Sequence, residues 1–143
     1  MAFDIGVTRT GIAVSDASGR VASPVCTLQT KEMLVNCKEF KVLMQDWQPD
    51  FFVFGLPLSL QGKQSAQAQF TKNTALKLLK LYPAKHAFFD ERYSSKSASK
   101  TLNELGISQK EKKGKIDMLA ASIVLQAYLD KVKLQREGKN EAG

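Results

Sequence analysis

The sequence predicts an α/β domain, a mixed sheet flanked by helices, and three observations carry that prediction. The chain opens with two apolar runs, Ala2, Phe3 and Ile5 and then Ile12-Ala13-Val14, on either side of a glycine-bracketed turn, which is the pattern of a β-hairpin. A third strand pattern at 21–28 extends the hairpin into a meander. From there helical and strand patterns alternate, with Phe51-Phe52-Val53-Phe54 and Ala87-Phe88-Phe89 as the strands. At 143 residues and 43% apolar, the chain has the length and composition of one domain with one core.

Each element has its own signal. Residues 17–20 make the second turn, and Pro24 places the third strand at an edge, since proline cannot donate to a central ladder. Thr30 is the expected cap of a helix over about 31–47, with Leu34, Cys37, Phe40, Met44 and Trp47 as its apolar face. Gln48-Pro49-Asp50 stops it. The continuous apolar run 51–54 reads as a strand covered on both faces. A glycine-bounded loop, 55–62, follows at its C-terminal end. A second helix is expected over roughly 65–81, with Phe70, Thr74, Leu78 and Tyr82 on one side. The last strand runs directly into Asp90-Glu91-Arg92. Ser94 or Ser95 then caps a polar helix closed by Gly106, with only Ala98, Leu102 and Leu105 in apolar register. Residues 107–115 are expected to be an exposed, mobile basic loop. The final helix is expected over 116 to about 134, apolar through Leu119, Ala120, Ile123, Val124 and Ala127. The domain would then be 1–134, and 135–143 a charged, frayed tail.

Composition narrows the function. No run of ~20 apolar residues is present, so no membrane span is expected. The N-terminus lacks the basic, apolar and cleavage segments of a secretory signal, which makes the cytoplasm the expected compartment. Cys26 and Cys37 have no metal-ligand spacing and read as reduced small hydrophobes. With His86 the one histidine, a His-dependent zinc site is excluded and a Ser-His or Cys-His relay disfavoured. The net charge of +7 is uneven: residues 1–70 carry six Lys/Arg and six Asp/Glu, and residues 71–143 carry fifteen against eight. Such asymmetry points to a polyanionic partner, nucleic acid first, or to a solvated basic surface.

Three carboxylates fall where this sheet could bring them together. Asp4 lies in the first strand among apolar neighbours, Glu91 leaves the end of the last strand, and Asp117 opens the final helix. Singly, each has an ordinary role: a turn cap, an ion-pair partner of Arg92, a complement to the helix dipole. Together in a basic protein they suit hard divalent cations, Mg²⁺ or Mn²⁺, bound through oxygen. Two such ions ~4 Å apart can clamp the attacking water and the leaving oxygen of a phosphodiester.

Four motifs then carry a family resemblance. Asp4-Ile5-Gly6, Arg9 and Gly11-Ile12-Ala13-Val14-Ser15-Asp16 form the first, and Gly55-Leu56-Pro57-Leu58 the second. Asp90-Glu91-Arg92 is the third, and Lys113-Gly114-Lys115-Ile116-Asp117 with Ala120-Ala121 the fourth. In this order and spacing they resemble the YqgF (RuvX) family, bacterial proteins regarded as Holliday junction resolvases or pre-ribosomal-RNA nucleases. The resemblance implies an RNase H-like fold, a five-stranded mixed sheet with the first strand central, and divalent-metal phosphodiester hydrolysis. It implies Asp4, Glu91 and Asp117 as catalytic and metal-binding residues. It places Arg9, Arg92, Lys113 and Lys115 in the family's basic positions, and Lys112 extends that basic set along the nucleic acid. Val7-Thr8 stands where the family usually has Thr-Lys. The acid that related resolvases carry one turn after the last aspartate is Ala120 here, with Asp90 as the nearest outer substitute.

The leading expectation is a metal-dependent nuclease acting on structured nucleic acid, foremost in pre-16S rRNA 5′ end processing, and a monomer. The alternatives are a Holliday junction resolvase, or a non-catalytic nucleic-acid-binding module of the same fold. Sugar-kinase and actin-type ATPases also read Asp-x-Gly-x-Thr in their phosphate loop. They enclose nucleotide between two such domains, and this chain has length for one.

Overall fold

The computed structural model describes residues 1–58, 65–91 and 109–142, with 109–114 and 139–142 described by backbone alone. The elements are β1 (Ala2–Ile5), β2 (Arg9–Ser15), β3 (Ala22–Gln29), α1 (Thr30–Leu34), α2 (Lys38–Trp47), β4 (Phe51–Leu56), α3 (Ala66–Leu81), β5 (Lys85–Asp90) and α4 (Gln109–Ala142). The strands form one five-stranded sheet in the order β3-β2-β1-β4-β5. β1 pairs antiparallel with β2 and parallel with β4, and β4 pairs parallel with β5. The sheet is therefore mixed, with β1 at its centre and β3, carrying Pro24, at an edge.

Strand periodicity sorts the side chains onto two faces. Phe3, Ile5, Ile12, Val14, Phe52 and Phe54 point to one face and pack with Met33, Phe40, Leu43, Met44, Ala75 and Leu78 from α1, α2 and α3. Phe3 is the hub, with ring centroids 5.2 Å from Phe52 and 5.4 Å from Phe54. Burying one such side chain contributes about 1.5–3 kcal/mol. On the other face Ala2, Ala13 and Val53 meet Ala121, Val124 and Leu125 of α4. Small residues on both sides let this helix lie close to the sheet.

Four expectations are corrected. The helix expected over 31–47 is two helices, because Asn36 takes a left-handed conformation with φ 56°. Asparagine tolerates that region, and its Oδ1 accepts a 2.7 Å hydrogen bond from the Tyr82 hydroxyl. Thr30 does not cap: Gln29 holds the N-cap position, and the Thr30 hydroxyl is directed into the β1–β2 turn. Trp47 is not core but 49% exposed. Finally, α4 begins at Gln109 and continues to Ala142, through most of the expected basic loop and the expected frayed tail. Lysine, glutamate and glutamine sustain a helix after the apolar pattern has stopped, and the packed middle outweighs the ~1 kcal/mol cost of Gly114. Among the described side chains of α4 the buried ones are Ala121, Ser122, Val124 and Leu125, so of the expected stripe only Val124 is buried. The polar helix expected after Ser94 or Ser95, Arg92 and residues 107–108 lie outside the described residues.

Candidate active site

Asp4 lies in the central strand between Phe3 and Ile5, which point to the three-helix face, so its carboxylate projects to the α4 face. Its cross-strand partner on β2 is Gly11. On the other side, the register that pairs Phe3 with Phe54 brings Gly55 of β4 to the next rung. Asp4 is thus flanked across the sheet by two residues without side chains. Both clearances are used. A Cβ on Gly11 would collide with the backbone carbonyl of Asp117, and one on Gly55 would collide with the carboxyl of Glu91. The glycines let α4 settle on β2 at Asp117 and let Glu91 fold back from the end of β5 over β4. Three acids distant in sequence come to one face around Asp4.

Their electrostatics register the crowding. The Glu91 carboxyl is pushed up to about 9, first by burial, then by a hydrogen bond with Asp4 and by the charges of Asp4 and Asp90. At neutral pH Glu91 therefore stays protonated. Asp117 is also pushed up by burial, with Arg9 opposing the shift and Asp4 adding to it. Arg9 Nε donates to Asp117 Oδ2 at 3.0 Å, an ion pair between a half-exposed guanidinium and a mostly covered carboxylate that joins the start of β2 to α4. Because Asp117 is engaged by Arg9, the three acids do not form a closed ligand set. Among the described residues no group of three or more His, Cys, Asp or Glu side chains stands at metal-binding geometry.

The turn that carries Arg9 is held rigidly. Gly6 N–H donates to the Arg9 carbonyl at 2.8 Å, and a Cβ on Gly6 would meet that oxygen at 2.6 Å. The Thr30 hydroxyl donates to the Gly6 carbonyl at 2.7 Å and lies 2.9 Å from the buried Thr10 hydroxyl, while Thr30 N–H donates to the Thr8 carbonyl at 2.9 Å. Sequence reading missed Thr10 and Thr30 in this role. It also missed the clearance at Gly11 and Gly55, although glycine inside a strand pattern marks a close approach.

The basic residues are only partly placed. Lys115 is exposed on α4, two residues before Asp117. Lys112 and Lys113 belong to the same helix rather than to a loop, with side chains outside the described residues. Arg92 follows Glu91 and lies outside them as well.

The RuvX family profile, described as Holliday junction resolvase, matches residues 1–131. A protein of Sulfurihydrogenibium sp. (strain YO3AOP1) named "Putative pre-16S rRNA nuclease" is 37% identical over 142 residues, 98% of this chain and 95% of the relative. A protein of the same name from Syntrophomonas wolfei is 39% identical over 130 residues, 91% of this chain and 92% of the relative. The solved structure "T. thermophilus RuvC in complex with Holliday junction substrate" matches with a TM-score of 0.51 at 13% identity, over 89% of this chain and 90% of that one, and supports the RNase H-like resolvase fold. The chain belongs to the RuvX family.

Proposed function

We propose that this protein is a divalent-metal-dependent nuclease that hydrolyses phosphodiesters of structured nucleic acid, with the 5′ end of pre-16S rRNA as its substrate. The observation that carries the reading is the gathering of Asp4, Glu91 and Asp117 on one face of the sheet, over Gly11 and Gly55. Acids crowded in this way, one of them protonated, are short of positive charge. Their donor set is all oxygen, which fits Mg²⁺ or Mn²⁺, and Asp4, Glu91 and Asp117 are the residues that would hold it. Bound there, the metal supplies Lewis acidity and an activated water.

The chain's own residues do the rest. Glu91 would hold such a metal as the carboxylate, so its proton would have to leave. Arg9, half-exposed and fixed by the rigid turn, offers its guanidinium to a substrate phosphate, which releases Asp117 to face Asp4. Lys112, Lys113, Lys115 and Arg92 extend the phosphate contacts outward, and Asp90 adds negative charge behind Glu91. The relatives' name favours RNA, whereas the family description names a four-way DNA junction.

One experiment tests both halves. A 5′-extended 16S precursor and a four-way junction are incubated with Mg²⁺, Mn²⁺ or chelator. The precursor should be cut, in the presence of metal only. Asp117→Asn should fold, and should lose both the cleavage and the metal-dependent rise in melting temperature that mass action on the native state requires. Cleavage by Asp117→Asn at the parent rate would remove the site assignment.

A further inference from the structure

We propose a second nucleic-acid contact at the opposite end of the sheet from the acids: a cleft in which a base of the bound strand stacks on Trp47 while neighbouring phosphates meet Arg20, Lys133 and Arg136. The inference rests on the nuclease reading and names where the strand runs beyond the acids. The cleft has a volume of about 830 Å³ and lies between the end of α2, the β2–β3 turn and the far part of α4. Trp47 closes α2 and is 49% exposed, with Pro49 and Leu129 also lining the cleft. A large aromatic surface left half open beside cations is the combination that binds single-stranded nucleic acid, one part stacking the base and the other holding the backbone.

Asp16, Asp50 and Asp130 line the same cleft, so its net charge alone does not decide the partner. The arrangement of partners does. Asp16 accepts from the Ser18 hydroxyl at 2.6 Å and from the backbone N–H groups of Arg20 and Val21 at 2.8 and 3.1 Å. Asp130 accepts from the Gln126 amide at 3.1 Å, whereas the Met1 ammonium, which feels the charge of Asp50, donates to the Phe51 carbonyl at 2.9 Å. Two of the three acids, Asp16 and Asp130, are thus engaged by internal donors. The cations are not: among the described residues the one ion pair is Arg9–Asp117. Arg20, Lys133 and Arg136 are exposed and available to an anion.

Separation favours a strand over a free nucleotide. Asp117 and Arg136 lie on the same helix, and at 1.5 Å per residue they are roughly 28 Å apart along its axis. A helically stacked strand advances about 3.4 Å along its axis per phosphate, so up to ~8 nucleotides join the two places. A strand of that length engages both ends, and the second contact is made at high effective concentration.

Trp47 is the chain's one tryptophan, so its fluorescence reports this cleft directly. The full chain is titrated in chelator with a 4-nucleotide RNA, a 16-nucleotide single-stranded RNA and adenosine monophosphate. The 16-mer should quench Trp47 saturably and bind at least about tenfold more tightly than the 4-mer. Arg20→Ala/Lys133→Ala/Arg136→Ala should weaken the 16-mer at least about tenfold and flatten its salt slope by about 2, at ~0.7 per phosphate. Removing the same charge at exposed Lys77, Lys80 and Lys85 should change neither. Trp47→Leu, followed by anisotropy of a labelled strand, should lose about tenfold, with an unchanged melting temperature showing that the fold is intact. A silent Trp47 at saturation, equal effects of the two triple variants, or quenching by the mononucleotide as strong as by the 16-mer would each overturn the proposal. Cleavage with a silent Trp47 removes the cleft and leaves the nuclease reading. A responsive Trp47 in a protein that cuts neither substrate does the reverse.

Discussion

Asp4 is surrounded by absences of side chain: Gly11 on one side, Gly55 on the other, each with its space taken by part of another acid. That makes the Glu91 carboxyl the most heavily shifted group at the site, and the shift has a consequence for stability. Its folded value, about 9, lies above the ordinary 4.5, so between those two pH values the unfolded chain ionises while the folded chain stays protonated. The group therefore costs the metal-free protein stability as pH rises from about 4.5 towards 9, and costs nothing below that window. Glu91→Gln keeps the shape and removes the titration. In chelator it should melt higher than the parent at pH 8 and equally at pH 4, and it should lose the stabilisation by Mg²⁺. A Glu91→Gln protein that melts at the parent temperature at pH 8 would show that the carboxyl is not under pressure from burial and Asp4.

At the scale of elements, α4 does the most to build the site, and it differs most from its sequence pattern. It carries Asp117 onto Gly11, and it runs from Gln109 to Ala142 where apolar periodicity supports only about 116–134. The strands were legible because their runs are short, continuous and punctuated by glycine and proline. The helix ends were not, since polar helix formers carry no periodic signal. The break at Asn36 was hidden for another reason: it depends on Tyr82, a tertiary partner 46 residues away. The acids could be picked out as residue types, but their convergence rests on glycines whose partners no local pattern reveals. Placing Lys112, Lys113 and Lys115 on a helix also sharpens an expectation about binding. Their replacement by alanine, a better helix former, should leave helicity intact. It should flatten the dependence of log K on log salt by about 2 for a single strand. An unchanged slope, measured by anisotropy between low and moderate salt, would mean that the helix start stays clear of phosphate.

Over the whole molecule, both faces of the sheet are already covered, one by α1, α2 and α3 and the other by α4. What remains apolar at the surface of the described residues is spread over several elements. Among the described residues Val7 tips the β1–β2 turn, Val21 the β2–β3 turn, Val35 follows α1, Val42 and Trp47 lie on α2, Leu76 and Leu81 on α3 and Leu134 on the far part of α4. No element carries more than two of them, whereas an obligate dimer needs a contiguous, self-complementary patch of ~2,000 Å² or more. A resolvase cutting two symmetric strands in concert needs such a dimer. An enzyme trimming one RNA end does not. The protein is accordingly predicted to be a monomer that cuts one strand at a time and prefers the rRNA precursor or single-stranded ends to a four-way junction. Sedimentation at micromolar concentration, with and without junction DNA, should give one monomeric species in the free protein and no two-protomer complex of fixed symmetry on the junction. A stable dimer introducing paired, symmetric nicks would overturn the monomer and make the junction the substrate. The same three acids would still stand on the same face of the sheet, because Gly11 and Gly55 bring them there within a single chain.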